Sequence, residues 1–291
     1  MADRVYFASH GLAINGTGVA GAQSVGISMT FNNLQAFQLG TLSIYDNIVT
    51  DGEVTVSATK NLDGNSLMFP GGNVGDYGTT TFDILVASSD DEEGLDGTGQ
   101  TATEVTGAFL SSLGYTFPVD TWATEEISFV GDNKSVATGT ISTLSPTTGT
   151  AAFRHHYSWS GVHANENVTN ISINTDFARE ALFKLGQFNP YYRFANFPIE
   201  ITVEFTYTNT GIDETVLNLE GESCTGSAFS KTDITVDVCQ APSGTAARYS
   251  FTASGCVLSS INQEGGGTDG GNATTTVSYT TYNDLLVVDN S

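Results

Sequence analysis

The sequence predicts an all-β protein, a sandwich or barrel-like fold with one packed helix, and three observations carry that prediction. Apolar and polar residues alternate over many short stretches, as on strands buried on one face only. The composition, with 32 Gly beside 17 Phe and 11 Tyr, suits strands joined by turns. Apolar residues make up 39% of the 291 residues, enough to build a core.

Along the chain, Val25, Ile27, Met29 and Phe31 alternate with Gly26, Ser28 and Thr30, which predicts a half-buried strand. Leu42 and Ile44 repeat the pattern, and Val54 and Val56 do so after a turn expected at Thr50-Asp51-Gly52. Further strands are expected over Thr80–Ala87, Ala108–Val119, Glu125–Val130, Thr138–Leu144 and Ala151–Trp159. The remaining ones fall at Asn167–Ile173, Pro198–Thr208, Thr232–Val238, Ala247–Ala253, Thr274–Tyr282 and Leu285–Val288.

One segment reads as a helix, over residues 176–185. Thr175 is placed to cap it, and Asp176 and Lys184 suit the two ends of its dipole. Phe177, Ala178, Ala181, Leu182 and Leu185 form an apolar stripe, and Gly186 is a stop. No internal repeat or composition break divides the chain, so one domain over 1–291 is expected, with long loops at about 61–78, 88–100 and 265–272.

Charge excludes several functions. Nine Lys+Arg face 32 Asp+Glu, a formal net charge of -23. Without a basic cluster the chain lacks what displaces phosphate counterions or holds an anionic membrane. Such a surface would instead let DNA slide past without sticking. Met1–Phe7 lacks the charged and apolar regions of a secretory signal, and no apolar run approaches a membrane span. Cys224, Cys239 and Cys256 are odd in number and form no CxxC pair, which fits free thiols.

Catalytic signatures are missing: there is no G-x-S-x-G, P-loop, G-x-G-x-x-G or H-E-x-x-H. His155 and His156 are adjacent, so on a regular strand they point to opposite faces and cannot share a metal, with His163 beyond them. The run Asp90-Asp91-Glu92-Glu93 lacks the alternating spacing of a calcium loop. No enzyme, metal or cofactor is expected.

Several stretches, in order along nearly the whole chain, resemble the tail tube proteins of tailed bacteriophages. They include Gln23–Ile27 through Phe37-Gln38-Leu39-Gly40 to Ile44-Tyr45-Asp46-Asn47-Ile48, then Glu53-Val54-Thr55-Val56 and Leu62-Asp63-Gly64. Tyr115–Asp120 and Thr124–Lys134 follow, then Leu185-Gly186, Pro190–Arg193, Phe197–Thr202 and the glycine-rich Gly265–Thr274. The resemblance implies a virion structural protein, assembled in the host cytoplasm, whose six copies close a ring and whose rings stack into a conduit for DNA ejection. It implies partners among its own copies and other tail proteins (tape measure, baseplate initiator, sheath), with DNA passing unbound and no membrane involved. A tail completion, distal tail or capsid decoration protein is the nearest alternative, and an acidic carbohydrate-binding β protein a more distant one. On this reading the polar faces of two strands line the lumen through Ser24, Gly26, Ser28, Thr30, Glu53, Thr55 and Ser57. Contacts between subunits are expected at Phe7, Phe69, Tyr77, Asp90, Asp91, Glu92 and Glu93, and in the arm Met1–Gly21.

Overall fold

A computed structural model describes residues 10–89, 100–137, 141, 151–163, 167–208, 231–239, 247–265 and 273–290. In chain order its strands are β1 (His10–Ile14), β2 (Thr17–Gly18), β3 (Ala22–Phe37), β4 (Ile44–Asn61), β5 (Gly72–Asn73) and β6 (Thr81–Ser89). Next come β7 (Gln100–Pro118), β8 (Thr124–Gly131), β9 (Ser135–Ala137), β10 (Tyr157–Ser160), β11 (Val168–Asp176) and β12 (Arg179–Leu182). The last are β13 (Tyr192–Ala195), β14 (Glu200–Thr208), β15 (Thr232–Cys239), β16 (Ala247–Glu264), β17 (Thr274–Thr281) and β18 (Leu285–Asp289). The all-β class holds. Among the described residues helical structure is confined to two short 3₁₀ turns, Val74–Gly78 and Arg154–His156, and no helix is long and apolar enough to cross a membrane.

The main sheet runs β3-β4-β8-β7-β11-β14-β17-β16, every neighbour antiparallel. Two of its strands are long enough to leave it. The N-terminal half of β7 bends away to pair with β6 and β9, and β6 in turn with β1. The N-terminal half of β16 likewise pairs with β15 and β18, and β15 with β10. These two flaps fold over one face of the main sheet, the arrangement in which bent strands form the corners of a sandwich. Tyr115 and Phe117 of the sheet meet Phe251 of the second flap at 4.3 and 5.5 Å, and Phe129 meets Phe82 of the first at 5.1 Å.

Both bends use the same device. Gly107 and Gly255 each have a φ of 65°, a conformation that costs a side chain dearly. The Gly107 N–H donates to Asp83 Oδ1 at 3.0 Å and the Gly255 N–H to Asp233 Oδ1 at 2.7 Å. Each aspartate sits in a bulge of the neighbouring strand.

That match extends to most of the described strands, which fall into two halves of the same topology, a structural duplication. β1, β3, β4, β6, β7, β8 and β9 recur as β10, β11, β14, β15, β16, β17 and β18, joined in the same pattern. The pairings agree residue by residue: Val54↔Gly131 through Asn61↔Thr124 recurs as Ile201↔Thr281 through Thr208↔Thr274. Ala22↔Lys60 and Ser24↔Thr59, with a bulge between them, recur as Val168↔Tyr207 and Asn170↔Thr206 with the same bulge. Numbers in the two halves differ by 146 at β3/β11 and by 151 at β9/β18. Identities persist at Glu53/Glu200, Thr55/Thr202, Asp83/Asp233, Leu110/Leu258, Ser112/Ser260 and Ser128/Ser278. The expectation of a chain without internal repeats is therefore corrected. The two halves share one core, which draws on both.

The expected helix at 176–185 is also corrected. β11 runs to Asp176, whose carboxylate accepts the Ala178 N–H at 2.8 Å, and Ala178 turns to a φ of 41°. That local bond gives the backbone an alternative to a helical turn. Arg179–Leu182 then pairs with Tyr192–Ala195 as a separate two-stranded sheet. The presumed stripe splits: Phe177 is buried, whereas Leu185 is fully exposed.

Four smaller expectations change as well. Thr50-Asp51-Gly52 lies inside β4 rather than at a turn. Arg154–His156 forms a 3₁₀ turn, so the strand expected over Ala151–Trp159 begins only at Tyr157, and His155 and His156 lie ring to ring at 4.0 Å. The described part of the arm Met1–Gly21 is folded into the first flap, with Leu12 and Ala13 buried. The segment 61–78 is a strap tied into the core rather than a free loop. Lys60 Nζ donates to the Asn65 and Ser66 carbonyls, Glu125 accepts the Met68 and Phe69 N–H groups, and Asp289 accepts that of Leu67.

Candidate functional site

The side of the main sheet opposite the flaps is its open face, and strand period decides what it carries. Alternate residues of each strand point outward, and cross-strand partners share a face. One row runs Gly26-Ser57-Ser128-Ser112-Asp176-Glu200 across six strands. The adjacent row runs Ser24-Thr59-Glu126-Gly114-Asn174-Thr202-Thr280. A third joins Thr116-Ser172-Glu204-Ser278-Ser260. The face is thus paved with Ser, Thr, Asn and Gly, dotted with carboxylates, while the core side of the same strands carries Val, Ile, Phe and Tyr.

The pavement is bonded across strands. Glu204 accepts from Ser278 Oγ at 2.9 Å and from Ser172 Oγ at 3.5 Å, and the Thr206 and Thr276 hydroxyls meet at 3.3 Å. Around Ser128 and Gly114 the face is concave, a groove of about 620 Å³ bordered by Glu126, Asp176 and Glu200. Where these eight strands form the main sheet, no Lys or Arg occupies an outward position; Arg248 of β16 lies in the flap half of that strand. Lys60 and Arg193 are buried instead, the latter bonding Glu53 at 2.7 Å and Asp132 at 2.6 Å. The face is therefore uniformly acidic.

Both ends of the sheet are open. Among the described residues β3 pairs only with β4, and the Val257–Glu264 half of β16 only with β17. Beyond the body, the Phe31–Phe37 half of β3 and its partner on β4 project as a two-stranded ribbon. Leu34, Phe37, Leu39, Leu42, Tyr45 and Ile48 are exposed along it. A lone hairpin is marginal in water. Clustered exposed apolar side chains are a common feature of protein–protein contact surfaces.

All seven residues expected to line a lumen lie on this one face: Ser24, Gly26, Ser28 and Thr30 directly oppose Thr59, Ser57, Thr55 and Glu53. The expectation stopped at two strands, whereas the face spans eight. The alternation Glu200-x-Thr202-x-Glu204-x-Thr206-x-Thr208 was a visible signal for the rest. The expected subunit contacts fare differently. Phe69 is fully buried and packs edge-on against Tyr77 at 4.7 Å, so it builds the core. Tyr77 is half-buried and donates to the Gly71 carbonyl at 2.9 Å. Phe7, Asp90, Asp91, Glu92 and Glu93 lie outside the described residues, as do Cys224, most of Thr138–Leu144 and the loop 266–272.

Cys239 and Cys256 are free thiols, and burial pushes Cys256 up to about 11, so it stays protonated. The described residues hold no cluster of three metal-ligating groups. Compared with known proteins, the chain matches no family model and no curated sequence.

Proposed function

We propose that the chain is a structural, non-catalytic subunit of a phage tail tube, forming rings that stack into a conduit for DNA and residing in the virion tail. One observation carries this reading: an antiparallel sheet with a continuous acidic, polar face ends in two open edges that run in opposite directions. β3 runs from the Asn61 end of the sheet toward the Glu53 end, and Val257–Glu264 runs back. The β16 edge of one copy can therefore accept the β3 edge of the next as another antiparallel pair. Such head-to-tail addition closes on itself and removes both edges.

Closure with the acidic face inward yields a hydrated channel whose charge repels a DNA phosphate backbone. The stretches that resemble tail tube proteins, Gln23–Ile27, Glu53–Val56, Thr124–Lys134 and Phe197–Thr202, fall on β3, β4, β8 and β14 of this wall. Electron microscopy of the concentrated protein tests the proposal. Rings or tubes with a central channel are expected; a chain that stays monomeric and is missing from phage tails would overturn it.

A further inference from the structure

We infer that three chains complete one ring, each supplying two equivalent units, and that the seam between chains repeats the junction between the halves of one chain. This rests on the ring-forming reading above.

The main sheet divides as β3-β4-β8-β7 followed by β11-β14-β17-β16, two copies of the same four-strand unit. Inside the chain the units meet where β7 pairs with β11. β16 is the counterpart of β7, and β3 the counterpart of β11. The open β16 edge therefore has the form of a strand already seen accepting a β3-like neighbour.

Burial separates the filled junction from the open edges. On β11, Ile171, Ile173 and Thr175 are at most 2% exposed, whereas their counterparts Val25, Ile27 and Met29 are half-exposed. Leu113 is buried, whereas its counterpart Ile261 is half-exposed. Phe177, whose N–H donates to the Ser111 carbonyl at 2.9 Å, is buried, whereas its counterpart Phe31 is 53% exposed. Each of these apolar positions lacks the neighbour that its twin possesses.

The internal junction also fixes the register. Asp176↔Ser112 and Asn174↔Gly114 translate into Ser260 opposite Thr30 of the partner subunit and Asn262 opposite Ser28 of the partner subunit. Polar residues then meet on the acidic face, and Ile261 meets Met29 of the partner subunit on the core side. A slip of one residue would invert both faces. The ribbon gains a place as well. Its counterpart, the β12–β13 sheet, bends down onto the unit across its junction, with Tyr192 against Phe109 at 5.7 Å and Arg193 on Glu53. The equivalent ground across the seam is the exposed Phe197 and Tyr282 and the groove of about 410 Å³ beside them.

Ring size follows from strand spacing. With strands about 4.8 Å apart and tilts up to about 45°, three chains of eight strands enclose about 37–52 Å between backbones, or roughly 27–42 Å inside their small side chains. Two chains leave roughly 14–25 Å and six leave more than about 60 Å, against a hydrated duplex of about 20 Å plus its water. Three chains fit a conduit; two grip the duplex and six do not guide it.

Cryo-electron microscopy of assembled rings, with native mass measurement, reads the copy number directly: threefold symmetry and a mass near three times 30.6 kDa are expected. In parallel, Ser28→Cys combined with Asn262→Cys should give oxidative cross-links ending at a covalent trimer, at least tenfold above either single variant. Thr30→Cys with Asn262→Cys, one pleat out of register, should fall to the single-variant level. Rings of six chains, or efficient cross-linking of the shifted pair, would overturn the inference while leaving the conduit intact. A protein that forms no ring and no cross-link would overturn both.

Discussion

The two glycine bends show how much of this fold hangs on single residues. Both need positive φ, but their surroundings differ: a Cβ on Gly107 meets nothing within 4 Å, whereas one on Gly255 would come within 2.3 Å of Asn283 Nδ2. Gly107→Ala should therefore cost only the backbone penalty, about 1–2 kcal/mol, and Gly255→Ala measurably more. Thermal melts of the two variants check the order, and equal losses would contradict it. Glu125 makes a second residue-scale prediction. It is fully buried, and burial pushes its carboxyl up to about 7 despite the Met68 and Phe69 N–H groups, Lys60 and Tyr115 around it. An acid raised on folding adds stability below its unfolded pKa and loses it as pH climbs through the folded value. Wild type should lose stability relative to Glu125→Gln between about pH 4.5 and 7, by at most about 3 kcal/mol. Denaturant melts across that range check the sign, and a flat difference would exclude it.

Elements differ in how far the sequence exposes them. Period-2 alternation located most strands, because one face of each is buried and the other wet: β8, β14 and β15 match their expected spans within two residues. The segment after β11 misled because Phe177, Ala181 and Leu182 have helical spacing by coincidence. The Asp176 side chain and the packing of the Arg179 guanidinium on the Phe109 and Phe177 rings, with its bonds to the Leu110 carbonyl at 2.8 Å and to the Gly78 carbonyl, favour the strand. The ribbon was legible only in part: Phe31 and Ile44 carried the alternation, but Thr50-Asp51-Gly52 read as a turn, and nothing local says that a strand outruns its sheet. Leu39 and Leu42 at its tip are fully exposed. Replacing both with Ser should leave the monomer within about 0.5 kcal/mol of wild type. Assembly, followed by light scattering, should weaken at least severalfold; unchanged assembly would remove the ribbon from the interface.

At the scale of the molecule, the open face was half legible and the duplication was not. Ser24 to Thr30 and Glu53 to Ser57 pointed to a polar wall, yet only strand pairing could show that six further strands continue it. The repeat hid because identities are few, the numbering offset drifts between 146 and 151, and the β3–β4 and β11–β14 connections fold differently. Buried chemistry has diverged too: Lys60 and Glu125 of the first half stand where the second has Tyr207 and Thr275. The wall's charge, in a chain of net -23, gives the prediction at this scale. Glu126→Lys with Glu204→Lys should slow DNA ejection severalfold, most at low salt. Ejection kinetics that do not change would show that the wall's charge plays no part in transit.

The ribbon has one more consequence, for how rings would be clocked. Only the first half of the chain carries it; the second half carries the short β12–β13 hairpin at the matching place. A ring of three chains would thus present long arms and short hairpins in alternation, nearly sixfold in its wall and strictly threefold at its rim. Turning one ring by 60° over the next would set arms where hairpins belong. Successive rings would then lock at fixed azimuths, and a smooth bore would carry a keyed rim.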